Sequence, residues 1–175
     1  MSDGQKSEKS EKTDKQKQAE LTALQAALAA EHAAVYGYGV VGGRIGAPRQ
    51  GEARTAYDAH RAARDTLARS VRDLGGDPVA ASPAYALPFS VADSSAALRL
   101  AAQLEERLAG VYADLVRATT GPRRTTATAS LRESAVRATR WSGQAPAFPG
   151  LAERTDDTTG RAGATDTAPS ASPTA

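Results

Sequence analysis

Apolar residues recur every three to four positions in four separate stretches of the chain, and no stretch sustains the two-residue alternation of a strand. Predicted helix A covers about Ala19 to Val41, with Leu21, Leu24, Leu28, Glu31, Val35 and Tyr38 along one face. Predicted helix B covers about Gly51 to Leu74 and carries Ala53, Tyr57, His60, Arg64, Leu67, Val71 and Leu74. Predicted helix C runs from about Val91 to Thr119, with Leu98, Ala101, Glu105, Leu108, Tyr112 and Leu115 in line and Ser90 with Asp93 as its start box. Predicted helix D begins after Gly121-Pro122 and ends near Gly143, with Leu131, Ser134, Ala138 and Trp141 together. The expected class is all-α.

The connections constrain how these helices pack. GGRIGAPRQ joins A to B and little more than TGPR joins C to D, so each pair is expected to fold back as an antiparallel hairpin. The B to C link, GGDPVAASPAYALPFS, contains Pro78, Pro83 and Pro88 and has no periodicity. Extended, its roughly 16 residues reach about 50 Å at about 3.3 Å per residue. A helix of about 24 residues is only about 36 Å long, so the link is long enough to start helix C at the far end. Two hairpins and one long crossover are the ferritin-like arrangement of a four-helix bundle, against which an up-down-up-down bundle with a loose third loop stays open.

Outside these helices the pattern fades. Residues 1–18 are Lys, Glu, Ser and Gln, and residues 153–175 are Thr, Ala, Asp, Pro and Gly. Neither end offers enough apolar surface to offset its ordering entropy, so both are expected to be disordered tails on a single domain spanning 19–152. The five lysines all lie within the first 17 residues, interleaved with Asp3, Glu8, Glu11 and Asp14. Such a charge-balanced segment is a poor nucleic-acid arm, and nucleic acid is not an expected partner. The whole chain carries a formal net charge of +2.

Cysteine is absent, which removes disulfides, thiolate metal sites and cysteine nucleophiles. No apolar signal segment opens the sequence, so a cytoplasmic protein is expected. Leu21 to Val41 has the length of a membrane span, but Glu31 and His32 sit at its centre and no membrane association is expected.

Gly37, Gly39 and Gly42 spell G-x-G-x-x-G, the spacing of a dinucleotide loop. That loop needs a strand before it and a helix after it, whereas LQAALAAEHAAVY is helical and GGRIGAPRQ ends it. No nucleotide is expected, and the glycines are read as close packing and as a helix stop at Gly42-Gly43.

Glu31, His60 and Glu105 interrupt three apolar stripes, and each needs a partner or a metal once buried. Glu31 and His60 are equidistant from the A–B loop, and Glu105 and Glu133 from the start of the C–D turn. Each lies about 14 residues, or roughly 21 Å, from its turn, near the middle of the expected bundle. Other partners stay open. Glu133 follows Ser130 at capping-box spacing, Glu105 has Arg99 and Arg107 nearby, and Glu31 has Arg64 or Arg137 within reach across the bundle.

The EHAAVYGYG and AHRAARD helices, the Pro-rich link and the closing RWSGQAPAFPGL resemble a family of actinobacterial ferritin-like proteins, over about residues 19–151. The resemblance implies a di-metal centre with one Glu from A, Glu-x-x-His from B, one Glu from C and Glu-x-x-His from D. Glu31, His60, Glu105 and Glu133 match four of these positions, while Tyr57 and Val136 stand where a Glu and a His belong. The expected function is a ferritin-like protein holding a single Fe or Mn ion at an incomplete site, with no catalytic residue assigned. The alternative is a non-catalytic helical module with a vestigial site, acting as a homodimer or through a partner.

Overall fold

The computed structural model describes residues 2–144. Four helices make up the described chain: α1 (Ser2–Arg44), α2 (Ala47–Asp73), α3 (Ser94–Ala118) and α4 (Gly121–Ser142). No strand occurs among the described residues. The expected tail over 153–175, and the sequence beyond Gln144, lie outside them.

The helix bounds differ from the pattern for identifiable reasons. α1 begins at Ser2, so residues 2–18, expected as a disordered tail, continue the first helix. Lys, Glu and Gln are good helix formers, and Lys15 Nζ meets Glu11 Oε1 one turn away at 2.6 Å. Gln16 Nε2 also donates to the backbone O of Ala118, which ties this stretch to the end of α3. At the other end α1 passes through Gly42-Gly43 to Arg44, leaving only Ile45 and Gly46 before α2. Buried Ile45 anchors that junction, and Pro48 suits the first turn of α2, where a missing N–H costs nothing. α3 is capped by Asp93 itself, whose Oδ1 accepts from Ala96 N at 2.8 Å, so Ser90 is not part of the helix start. α4 ends on Gly143 in the left-handed region at φ 75°, where glycine is unhindered.

α1 packs against α2 and α3, and α3 packs against α4. Gly46 N donates to Ser94 Oγ at 3.0 Å, so α3 starts beside the end of α1 and the two run antiparallel. Arg123 reaches Glu20, and Trp141 reaches Tyr38, so α4 runs parallel to α1. Arg49, in the first turn of α2, donates to the Arg140 carbonyl and lies 4.1 Å from the centre of the Trp141 ring. The link over 74–93 follows α1: Gln25 bonds the Asp77 carbonyl and Val79 N, His32 bonds the Val79 carbonyl, and Tyr36 packs on Tyr85.

The core divides into two apolar clusters. One gathers Tyr38, Val41, Ala53, Leu100 and Trp141; the other gathers Leu24, Leu28, Leu67, Val71, Leu108 and Leu115. Glu31, His60 and Glu105 are buried in the same interior.

The glycines of the G-x-G-x-x-G stretch behave differently from one another. A Cβ on Gly37 would stand 2.6 Å from Leu104 Cδ1, so this glycine permits close packing of α1 on α3. A Cβ on Gly39 or Gly42 would meet nothing within 4 Å, so close packing does not account for them. Gly39→Ala is expected to stabilise the fold by about 0.5–1 kcal/mol. Gly37→Ala should gain measurably less, because Leu104 must move. Chemical denaturation of the two variants compares them directly, and equal gains would contradict the packing role of Gly37.

Candidate functional site

Each helix delivers residues to one polar layer. α1 supplies Glu31 and Tyr38, α2 supplies His60, α3 supplies Glu105 and Tyr112, and α4 supplies Arg137. The positions on α1, α2 and α3 belong to the faces that bury Leu28, Leu67 and Leu108, so helix periodicity carries these polar groups inward with the apolar ones.

His60 is the centre. Its Nδ1 lies 2.8 Å from Glu31 Oε2 and its Nε2 lies 3.0 Å from Glu105 Oε1, all three side chains being buried. A neutral imidazole keeps a lone pair on one nitrogen, which would then face a carboxylate oxygen; an imidazolium donates through both. Burial opposes that charge, but the hydrogen bonds and charges of Glu105 and Glu31 prevail and raise His60 from 6.5 to about 9. For Glu105, burial opposes ionisation, while the His60 hydrogen bond and the nearby His60 and Arg137 charges hold its carboxyl below the usual 4.5.

Two tyrosines add donors to the two carboxylates. Tyr38 OH donates to Glu105 Oε1 at 2.6 Å and accepts from Trp141 Nε1 at 2.8 Å. Tyr112 OH donates to Glu31 Oε1 at 2.5 Å. Burial, followed by the adjacent carboxylate charge, raises both phenols well above their ordinary range, so they stay protonated donors. The pairing is reciprocal: α1 and α3 each carry Glu-x6-Tyr, and in the antiparallel pair the Glu of each helix meets the Tyr of the other. That repeated spacing was the signal for Tyr38 and Tyr112, which periodicity alone reads as apolar filling.

The fourth expected ligand lies elsewhere. Glu133 is 58% exposed and reaches only Arg137, at 3.7 Å. Ser134, Ala138 and Trp141 define the buried face of α4, and Glu133 is rotated about 100° from Ser134, out of the interior. Arg137 shares the Glu133 flank, but its longer side chain reaches inward, and its Nε donates to Glu105 Oε1 at 2.7 Å. Burial works against the Arg137 charge, yet Glu105 raises its affinity for the proton. Arg64 pairs with Asp65 instead of Glu31.

These residues do not fit a metal ion. A ligating imidazole must offer a free in-plane lone pair, and both in-plane directions of His60 are filled by carboxylate oxygens. The Arg137 guanidinium occupies the same Glu105 oxygen that His60 uses. Two cations already balance two carboxylates. Among the described residues, no group of three or more His, Cys, Asp or Glu side chains is placed to hold a metal. Two buried oxygens, Glu105 Oε2 and Ser134 Oγ, have no hydrogen-bond partner among the described residues.

The model of one protein family, described as "Domain of unknown function (DUF4439)", matches residues 23–153. A crystal structure of a conserved hypothetical protein from Mycobacterium tuberculosis is similar, with a TM-score of 0.69 and 36% identity over 71% of this chain and 95% of that one. No curated protein matches. No described helix is long and apolar enough to cross a membrane.

The shifted groups set a pH dependence. His60 is raised in the fold, so its contribution to stability is complete below pH 6.5 and is lost as pH rises through about 9. Glu105 is lowered, so its contribution is present above pH 4.5 and is lost as pH falls through its depressed value. The thermal midpoint should therefore fall on the alkaline side between pH 6.5 and about 9. The chain has two histidines, so imidazole NMR resonances can be assigned by substitution, and His60 titrating at its ordinary 6.5 would contradict the buried imidazolium. Tyr38→Phe removes one donor from Glu105 and is expected to cost about 1–3 kcal/mol in denaturant unfolding.

Proposed function

Because the chain belongs to the family described as a domain of unknown function (DUF4439), a description that carries no activity, we propose its role from the chemistry of the polar layer: a non-catalytic helical interaction module on a ferritin-like frame, with a charge-paired core in place of a metal centre. The frame is supported by the path of the 74–93 link along α1 and by the parallel course of α1 and α4, which suit two hairpins joined by a crossover.

One observation carries the functional reading: the Glu105 oxygen that would serve as a metal ligand instead accepts from Arg137, Tyr38 and His60 together. Loading a divalent ion here requires expelling a guanidinium and removing a proton from His60. The second step alone costs about 3 kcal/mol at pH 7, at about 1.4 kcal/mol per pH unit below a value of about 9. The layer instead holds the four helices in one alignment, leaving the exposed helix faces to meet a partner.

Metal analysis of the full chain, expressed in medium supplemented with iron and manganese, is the test. The expected result is metal well below one ion per chain and a thermal midpoint unchanged by chelator. Near-stoichiometric iron or manganese, with a midpoint that drops on chelation, would overturn the reading.

A further inference from the structure

The groove between α1 and α2 holds a cleft of about 640 Å³, within the roughly 300–1,000 Å³ range of small-molecule sites. It exists because side chains are missing where two helices face each other. Gly39 and Gly42 on α1 and Gly51 on α2 line it, and a Cβ at any of the three would meet nothing within 4 Å. Helix packing therefore does not require glycine at these positions, although each glycine weakens its helix relative to alanine. What the glycines accomplish locally is to keep the space open.

The chemistry around that space is specific. Beneath it lies Tyr38, itself buried, with its ring stacked on His60 and ring centres 5.0 Å apart. Tyr57 forms an aromatic wall, with the Arg61 guanidinium 5.8 Å from its ring centre. Arg54 stands on the same rim, and both arginines share one acid: Asp58 lies 3.3 Å from Arg54 and 4.0 Å from Arg61. Two cations against one carboxylate leave a surplus positive charge at the mouth. The first turn of α2, which leads into the cleft at Gln50 and Gly51, carries no acid to oppose its own positive end.

We propose that this cleft binds a small aromatic carboxylate, its ring lying on the glycine-lined floor against Tyr57 and its charge meeting Arg61 and Arg54. A glycine-lined, partly apolar floor suits a planar ring, and a single surplus charge suits a monoanion better than a polyphosphate. None of Glu31, His60, Glu105 or Arg137 lines the cleft, so binding there is separate from the question of metal.

Benzoate is the probe, with benzyl alcohol as the same ring without charge and inorganic phosphate as charge without a ring. Trp141, the sole tryptophan, lies 6.4 Å from the Tyr38 ring, so its fluorescence reports on the floor alongside calorimetry. The full chain should bind benzoate saturably with a Kd of about 1 mM or tighter, and the two controls about tenfold or more weaker. A Cβ at Gly42 meets nothing within 4 Å, so Gly42→Leu grows into the cleft and should weaken benzoate about tenfold while the thermal midpoint is maintained. Arg61→Gln, which leaves the shape intact, should weaken benzoate and leave benzyl alcohol unchanged. Absence of saturable benzoate binding, or affinity unaltered by both substitutions, overturns the proposal. Neither outcome bears on metal content, so the proposed function is judged separately.

Discussion

The structure depends on one imidazole held between two carboxylates. Removing His60, Glu31 and Glu105 from water costs several kcal/mol for each charge, and only close, complementary partners return it. Here each group finds such partners: both nitrogens of His60 meet carboxylate oxygens, Glu31 accepts on both oxygens, and Glu105 collects donors from three helices on one of its two. Net stability comes mainly from the two apolar clusters. The polar layer decides which arrangement of the four helices they stabilise, because a displaced helix leaves a buried charge without its partner.

Much of this was legible in the chain. The short A–B connection fixes Glu31 and His60 at one level, and they meet at 2.8 Å. The stripe positions of Glu31, His60 and Glu105 were enough to bury all three. Glu133 escaped because axial level was read without rotational phase: it shares a height with the layer but faces away, and Arg137, one turn on, reaches in. Tyr38 and Tyr112 were visible as stripe members and not as donors, since a phenol fills apolar space as well as it donates. Residues 2–18 lack the apolar periodicity that marks a packed helix, yet continue one already nucleated by the packing of α1.

Tyr38 links the two regions of chemical interest. Its hydroxyl joins Glu105 and Trp141 in the interior, its ring rests on His60, and the residue borders the groove between α1 and α2. The fold thus connects its most protected layer to its surface through a single side chain.

The reciprocal Glu-x6-Tyr pairs also restrict how this chain can change length. The two segments, Glu31 to Tyr38 and Glu105 to Tyr112, run in opposite directions and are matched end to end. One residue inserted in either would turn its tyrosine by about 100° and shift it by about 1.5 Å, stranding the opposite carboxylate. An insertion or deletion in either segment therefore separates one of the two pairs, and a matching change in the other separates the second. Two stretches more than sixty residues apart in sequence are coupled as a single ruler.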